Sequence, residues 1–548
     1  MVQLSRVDQD LIADYVLEEV EKYERENFAK FVGAGLPTTL RPILWLASAS
    51  CISVRPLLPH LQVGFRGVVQ TDAGFRANLV TLQNYKDTCG AATWKAMLTY
   101  VEKLHHNDIR IAFFSSTPQG GGVALMRHAL VRFARLTGVH LAWYVPKPLP
   151  RVFRITKNIH NVLQGVSPPD QRITAEEKDA IIGWITENAH RYWLADGGPL
   201  CPVEEGGAHI VIIDDPQMPG LIPLIKKITP DRPVLYCSHI QIRSDLVAKA
   251  GSSQADIWDF HGVISSWQTC LLVTQFLALS LILFRGRRSF YFPATTDWLD
   301  GLNKKLNDWD SGFLWPHVQR CLPLPAHLDW PARKYITQVA RFDPSKGIPT
   351  VIDSYAEFRR QCETAGITDV PQLIVCGNGS IDDPDANMVY DQAIGQLEIY
   401  YPHLIRDVSI MRLSPNDQLL NTIIAKAHVV LQLSNREGFE VKVSEALHAG
   451  RPVIATKAGG IPLQVKDKTN GFLVDPGDWK AVAGHLMDLF TNDDLHKKMS
   501  HAARTGVSDE VGTVGNALGW FYLAARWAED SVVERVHRKK VLDAKAAE

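Results

Sequence analysis

Residues 428–456 read HVVLQLSNREGFEVKVSEALHAGRPVIAT, and their alternation of apolar and polar runs decides the fold class. An apolar strand, His428 to Ser434, is followed by the turn Asn435 to Glu440, a helix over Val441 to Ala449 and a second apolar strand. Two buried strands joined through a helix form the repeating unit of a parallel sheet. This stretch therefore predicts an α/β fold with its ligands at the carboxyl ends of the strands.

The same alternation extends in both directions along the chain. Strand Lys334 to Ala340 leads through RFDPSKG into a helix over Ile348 to Arg360. Far upstream, strand Ile109 to Phe114 leads through a Gly-rich turn into a helix over Val123 to Leu136. Because a hydrophobic core stops growing near 250 to 300 residues, the 548 residues predict two Rossmann-like domains facing across a cleft, with an N-terminal extension.

Four regions are predicted from these patterns. Residues 1–105 form an N-terminal extension of unknown role, and residues 106–300 form a Rossmann-like domain. Residues 320–505 form a second Rossmann-like domain. Residues 506–548 form a C-terminal helix, which is expected to cross back onto another domain because it is rich in aromatic residues.

Composition excludes several classes of function. The chain has 58 Lys and Arg against 59 Asp and Glu, so it lacks the positive field that nucleic acids or anionic membranes would attract. Its eight cysteines are scattered without a CxxC pair or zinc-type spacing, which predicts no metal and fits the cytoplasm. The N-terminus lacks the pattern of a secretory signal. The apolar segment Cys270 to Phe284 is shorter than the roughly 20 residues that span a bilayer, so no membrane role is expected.

The turn after Ala340 carries two cations. Arg341 and Lys346 flank it, between a strand end and a helix start. Free helix N–H groups and the positive end of the helix dipole make such a place suitable for phosphate. Two solvated surface charges would be the simpler explanation, and the pair gains weight only if other turns agree.

The turn in the opening stretch does agree. Glu437 is followed at once by Gly438, Phe439 and Glu440, and a further carboxylate, Glu445, lies on the next helix. Carboxylates accept hydrogen bonds from sugar hydroxyls, and free backbone N–H groups can face an anion. An acidic helix start would explain Glu437 and Glu440 without any chemistry, but it would not explain the glycine.

These residues resemble the signature of the family-four GT-B glycosyltransferases, in which two glutamates are separated by seven residues and follow a phosphate-binding Arg and Lys. More narrowly, the chain is similar to the fungal retaining trehalose phosphorylases and the related trehalose glycosyltransferring synthases. The narrower likeness is carried by STPQGGGVALMRHAL (116–130), IDDPQMPG (213–220), SHIQIRSDL (238–246), PATTDWLDGLNK (293–304) and VARFDPSKG (339–347). It is interrupted between Phe260 and Tyr291, where the chain turns apolar, as a shifted reading frame or misjudged exon boundary would make it.

The resemblance implies a role for each domain and each motif. Residues 106–300 would form the acceptor domain, and residues 320–505 the donor and phosphate domain. Arg341 and Lys346 would hold the transferred or leaving phosphate, Glu437 would hold glucosyl hydroxyls, and Glu445 would meet a ribose or brace the loop. The remaining candidates would bind substrate from either side of the cleft, with His239 acting in catalysis: Gly120, Gly121, Gly122, His128, Asp215, His239, Arg243, Gly438, Phe439 and Glu440. A lone histidine is more often a packed structural residue.

The resemblance implies retaining glucosyl transfer by front-side attack, without a protein nucleophile, metal or cofactor. The expected reaction is reversible phosphorolysis of α,α-trehalose to α-D-glucose 1-phosphate and D-glucose. Two alternatives stay open: synthesis of trehalose from a nucleotide-activated glucose plus glucose, and an inactive binding protein. Expected partners are therefore small molecules (trehalose, glucose, phosphate or glucose 1-phosphate), with no nucleic acid and no membrane, and with a homodimer allowed.

Overall fold

The computed structural model describes residues 80–118, 122–214, 217–239, 242–265, 270–273, 289–306, 308–322, 327–377, 386–413 and 416–546, together with three short strands near the N-terminus. Two of the predicted site glycines, Gly120 and Gly121, and the predicted Asp215 lie outside these residues. So does most of the predicted N-terminal extension.

The N-terminal sheet has nine strands in the order β1-β2-β3-β5-β4-β6-β7-β8-β9. Strands β4 to β9 are parallel, whereas β1, β2 and β3 add to one edge in antiparallel fashion. The strands are Lys30–Val32, Leu61–Val63, Val68–Thr71, Ile111–Phe114, Leu141–Tyr144, Ile210–Asp214, Val234–Ser238, Cys270–Val273 and Ser289–Tyr291. The central strands are buried along their whole length, as expected of a sheet covered by helices on both faces.

The C-terminal sheet has six parallel strands in the order β12-β11-β10-β13-β14-β15. These strands are Tyr335–Val339 (β10), Gln372–Gly377 (β11), Val408–Arg412 (β12), Val429–Gln432 (β13), Val453–Thr456 (β14) and Gly471–Val474 (β15). The predicted α/β fold with two Rossmann-like domains is confirmed. Strand β10 and strand β13 of the opening stretch are adjacent, which brings the two predicted turns together.

The helices alternate with these strands. Those of the first domain are α1 Leu82–Lys86, α2 Ala91–His106, α3 Gly122–Thr137, α4 Pro150–Gln164, α5 Ala175–Asn188, α6 Leu221–Ile228, α7 Ser244–Val247 and α8 Ser253–Ser265. Those of the rest of the chain are α9 Asp308–Arg320, α10 Ile348–Thr364, α11 Ala386–Tyr400, α12 Asp417–Lys426, α13 Val441–His448, α14 Trp479–Thr491, α15 Asp493–Thr505 and α16 Thr513–Ala546.

The last helix, α16, packs on the N-terminal domain. Trp520 is fully buried, with its ring 5.2 Å from that of Phe113 in β4 and 4.6 Å from that of Phe292. The same hydrophobic cluster contains residues of α2, α3, β4 and β5. The chain crosses to the C-terminal domain near Thr296 and returns near Val511. The Thr296 backbone N–H donates to the Val511 carbonyl oxygen, so the two crossings lie side by side.

The apolar segment Cys270 to Phe284 is described only in its first four residues, which form β8. Among the described helices, none combines the length and the apolar character needed to cross a bilayer.

Candidate active site

The turn after β10 is built around Asp343. Its Oδ1 accepts hydrogen bonds from the Ser345 backbone N–H at 2.8 Å and from the Ser345 hydroxyl at 2.6 Å, which closes the turn over residues 344–346. Gly347 then adopts a φ of +61°, and a Cβ there would lie 1.9 Å from the Leu433 carbonyl oxygen. Only glycine fits both restrictions, so α10 starts directly behind Lys346.

The Lys346 ammonium is enclosed by two carboxylates of the neighbouring turn. It donates to Glu437 Oε2 and to Glu440 Oε2, the latter at 2.6 Å. All three side chains are nearly buried, with exposed fractions of 10%, 13% and 9%. One cation thus serves two acids in a place from which water is largely excluded.

The two acids respond differently to this shared cation. Burial raises the pKa of Glu437 to about 7, although Lys346 acts in the opposite direction. Burial would also raise the pKa of Glu440, but Lys346 and the Glu437 carboxyl lower it to about 2. Two interacting acids titrate as a pair, so the pair holds one proton, mainly on Glu437, below pH 7 and loses it around neutral pH.

Glu440 is held in place by backbone as well as by side-chain contacts. Its φ of +67° lies in the left-handed region, which is uncommon for a residue with a side chain. Its Oε1 accepts from the Lys442 backbone N–H at 3.3 Å, so that it caps helix α13, and its Oε2 accepts from Gln432 at 3.2 Å. Such backbone strain is often found at functional turns.

Arg341 lies at the open side of the same turn. Its side chain is 37% exposed, and its Nη2 is 3.9 Å from Asp343 Oδ2. The guanidinium is therefore beside the buried cluster but accessible to a ligand in solution. Together with the backbone at the start of α10, this gives a site that can accept an anion.

Glu445 lies deeper, at the seam between the domains. Its Oε1 accepts from the Thr296 hydroxyl at 2.9 Å, and its Oε2 accepts from the Lys442 ammonium at 2.6 Å. Close to it, the Trp298 ring stacks on that of His448 with centroids 4.0 Å apart. In this arrangement both carboxylate oxygens of Glu445 are engaged by the protein.

On the N-terminal side, His239 forms part of a buried chain of charges. Its Nε2 lies 2.6 Å from Asp214 Oδ1, while Arg127 Nε donates to Asp214 Oδ2 at 2.9 Å. Burial alone would lower the pKa of His239, but the Asp214 carboxylate raises it well above its ordinary value. The imidazole is therefore a cation at neutral pH, and Asp214 and Arg127 hold its orientation.

Asp214 and Arg127 are site residues that sequence reasoning missed. The motif IDDPQ offered two adjacent aspartates, and the neighbouring Asp215 was the one predicted. Asp214 is the last residue of β6 and is fully buried, in a strand whose every residue is inside. A carboxylate at the buried end of such a strand was a signal for a charged partner on a neighbouring helix.

The other candidates on this side are engaged locally. His128 is buried, its Nε2 lies 2.9 Å from the Pro118 carbonyl, and burial lowers its pKa to about 4, so it is a neutral donor that supports the Gly-rich turn. Arg243 donates twice to Asp245 in its own turn, at 2.7 and 2.6 Å. Gly122 begins α3 with open space around its Cα.

The two domains touch at the site itself. A Cβ on Gly438 would lie 2.7 Å from the His239 carbonyl oxygen. This glycine therefore allows the turn between β13 and α13 to approach the end of β7. Phe439 beside it is buried and packs with Trp298 and Val511. The predicted donor residues Arg341, Lys346, Glu437, Gly438, Phe439 and Glu440 thus lie together, opposite His239.

Comparison with known proteins agrees with this architecture. Residues 113–272 match the family model described as trehalose synthase, N-terminal domain, and residues 327–506 match that of the glycosyl transferases group 1. The chain is 51% identical over 489 residues to a trehalose phosphorylase of Pleurotus pulmonarius, covering 87% of this chain and 65% of that protein. It is 26% identical to a trehalose synthase of Pyrococcus horikoshii, covering 78% of this chain and 91% of the relative.

A solved structure shares the fold. An α,α-trehalose-phosphate synthase (UDP-forming) from Burkholderia xenovorans in complex with glucose 6-phosphate superposes with a TM-score of 0.61 at 11% identity, covering 76% of this chain and 99% of that one. The chain spans about two thirds of the length of the fungal relatives. On this evidence the chain has the GT-B fold of two Rossmann-like domains, carries a glycosyl transferases group 1 domain and is related to the fungal trehalose phosphorylases.

Proposed function

We propose that this chain catalyses the reversible phosphorolysis of α,α-trehalose to α-D-glucose 1-phosphate and D-glucose, with retention of configuration. The fungal trehalose phosphorylases, which are 49% to 51% identical to this chain over most of its length, support the reaction. The observation that carries the proposal is the pair of cations at one turn, Arg341 open and Lys346 enclosed, facing His239 from the other domain.

Phosphate binds at the turn between β10 and α10 in this proposal. Arg341 offers a planar fork of donors to phosphate oxygens, which Lys cannot reproduce. Lys346 adds positive charge from below, and the N-terminus of α10 contributes its dipole. The negative charge that moves between phosphate and sugar during transfer is stabilised there without reorganisation of solvent.

The glucosyl unit lies between Glu437 and His239. Glu437 is partly protonated near neutral pH and can therefore donate to as well as accept from sugar hydroxyls, whereas Glu440 stays ionised and holds Lys346. The bond from the anomeric carbon to the glycosidic oxygen breaks while a phosphate oxygen attacks on the same face. The proton that the departing glucose requires comes from the hydrogen phosphate itself, so no protein acid is needed, and direct attack by the phosphate oxygen makes a protein nucleophile unnecessary.

His239 acts on the acceptor side. As an imidazolium held by Asp214, it places a positive charge beside the oxygen of the departing or entering glucose. We place the reaction in the cytoplasm, because the six cysteines whose side chains are described are free thiols, as is usual for reducing compartments.

One assay separates the candidate functions. The full chain is incubated with trehalose plus phosphate and, separately, with UDP-glucose or ADP-glucose plus glucose. Formation of α-D-glucose 1-phosphate in the first mixture and no trehalose in the second supports the proposal. Trehalose from a nucleotide sugar alone would identify a synthase, and inactivity in both would favour a binding protein.

A further inference from the structure

Three potential metal ligands of different types meet behind the acceptor side of the site. They are Asp214 at the end of β6, Cys237 near the end of β7, and His239 just after β7. Their ligand atoms all lie within 4.8 Å of one another, and the strands that carry them are hydrogen-bonded neighbours in which Asp214 pairs with Cys237. We propose that this cluster is a binding site for a thiophilic divalent cation such as Zn²⁺, and that the cation inhibits the enzyme.

The donor set suits such an ion. Thiolate, imidazole and carboxylate are the three side-chain ligands of zinc, at bond lengths of about 2.0 to 2.3 Å. Ligands around a tetrahedral ion then lie roughly 3.5 Å apart, so the Asp214–His239 contact of 2.6 Å has to open by about 1 Å to admit the ion. Three protein ligands leave a fourth position for water or a sugar hydroxyl, which is the arrangement of an open zinc site.

The charges around the cluster also allow it. Arg127 and His239 both contact the Asp214 carboxylate, and burial raises the pKa of the Cys237 thiol. The ion displaces one proton from the thiol and one from the imidazolium, and both pass to solvent. Two protons leave as one dication enters, so the net charge of the buried group stays the same, and binding weakens as the pH falls.

The hydrogen bond that would orient the Asp214 carboxylate toward the ion is already present. Arg127 Nε holds Asp214 Oδ2 at 2.9 Å, which leaves Oδ1 to face the ion. Outer hydrogen bonds of this kind orient metal-binding carboxylates. Among the described residues, His239 Nδ1 is buried without a hydrogen-bond partner, so the ring is held mainly through Nε2 and can adjust to an ion there.

Inhibition follows from geometry, and this part alone depends on the proposed function. An ion on His239 Nε2 replaces the Asp214 hydrogen bond and, because that contact has to open by about 1 Å, moves the imidazole from the position in which it meets the substrate. Binding itself is independent of the reaction and is measured without it.

The test uses Co²⁺ and Zn²⁺ on the full chain. One equivalent of Co²⁺ should produce a thiolate-to-cobalt charge-transfer band, which Zn²⁺ then removes. The band should vanish in both Cys237→Ser and Cys237→Ala, and the Zn²⁺ affinity measured against a chelator should fall more than about tenfold, since loss of an outer partner alone has that effect. The control, Cys376→Ser, changes a buried strand cysteine of the other domain and should keep the band.

The outcomes are distinct. Absence of the band in the unmodified chain, or its persistence in both folded Cys237 variants, overturns the site. Binding without inhibition of trehalose phosphorolysis upholds the metal site but overturns the inhibitory part. Absence of phosphorolysis in metal-free protein counts against the proposed function and leaves the spectroscopic result standing.

Discussion

Lys157 Nζ in α4 of the N-terminal domain lies 3.2 Å from Asp343 Oδ2 in the turn between β10 and α10 of the C-terminal domain. Both side chains are nearly buried, at 6% and 7% exposed. Burial would raise the pKa of Asp343, but Lys157 and Arg341 together hold it well below its usual range. The Asp343 carboxylate therefore closes the turn between β10 and α10 and also joins the two domains.

Removing the ammonium with Lys157→Met should destabilise the protein by about 3 to 5 kcal/mol, because a buried carboxylate loses its closest cation. The control is Lys178→Met, which breaks the ion pair of Lys178 with the half-exposed Asp256 and should cost less than about 1 kcal/mol. Urea unfolding followed by tryptophan fluorescence checks both. Equal midpoints for the two variants would show that the interdomain pair contributes nothing special.

Arg341→Ala should lower kcat/KM for phosphorolysis about a hundredfold, since one donor to a transition-state anion is worth about 3 kcal/mol. Its thermal midpoint should hardly change, because the side chain is partly exposed. Lys457→Ala removes an exposed cation of the same domain that pairs with Asp475, and should leave the rate unchanged. A normal rate in Arg341→Ala would remove this residue from the phosphate site.

Lys346→Ala should also lower turnover about a hundredfold, for the same electrostatic reason. Unlike the change at Arg341, it should also destabilise the fold, because Glu437 and Glu440 lose the cation that they share. Steady-state rates and melting curves for the two variants, taken side by side, distinguish an enclosed cation from an open one. Full stability in Lys346→Ala would contradict the buried cluster.

Glu437→Gln should change the pH dependence of stability. The pKa of Glu437 is raised from the ordinary 4.5 to about 7 in the folded protein, so between these values the native state binds more protons than the unfolded state. Stability due to this group therefore falls as the pH rises from 4.5 to 7, by at most about 3 kcal/mol. Melting curves across this range should decline less steeply in the variant, and parallel curves would refute the raised pKa.

Gly438→Ala should separate the domains slightly, because the new Cβ meets the His239 carbonyl oxygen at 2.7 Å. We expect a loss of about tenfold to a hundredfold in kcat/KM, as small misplacements at a reacting centre have effects of this size. Gly484→Ala in α14 has open space around it and should keep full activity with equal or higher stability. Unchanged kinetics in Gly438→Ala would mean that this approach is not needed for turnover.

Local patterns were enough to predict the parallel strands of both sheets and the turn between β10 and α10. Strand β10 was predicted over 334–340 and spans Tyr335–Val339, and the helix predicted over 123–136 spans Gly122–Thr137. These elements follow from periodicity within a dozen residues, and the two acidic and basic turns meet because β10 and β13 are neighbours. The roles assigned to the turn residues remain predictions.

The partners of these turns could not be predicted in the same way. Lys157 and Asp343 are 186 positions apart, and Arg127 and Asp214 are 87 apart, so neither pair leaves a mark on local periodicity. The left-handed backbone of Glu440 is imposed by Lys346 and by capping of α13 rather than by its own propensity. Long-range electrostatics of this kind becomes visible only when the sheets are assembled.

Helix α16 constrains the order in which the two domains can fold during synthesis. The face of the N-terminal sheet that carries Phe113 is covered by Trp520 and its neighbours, and these residues are synthesised after the whole of the C-terminal sheet. Among the described residues, the buried members of the two core clusters of the C-terminal sheet all precede the end of α15, so this sheet can close earlier. The N-terminal sheet can therefore become native only after the C-terminal sheet has been synthesised.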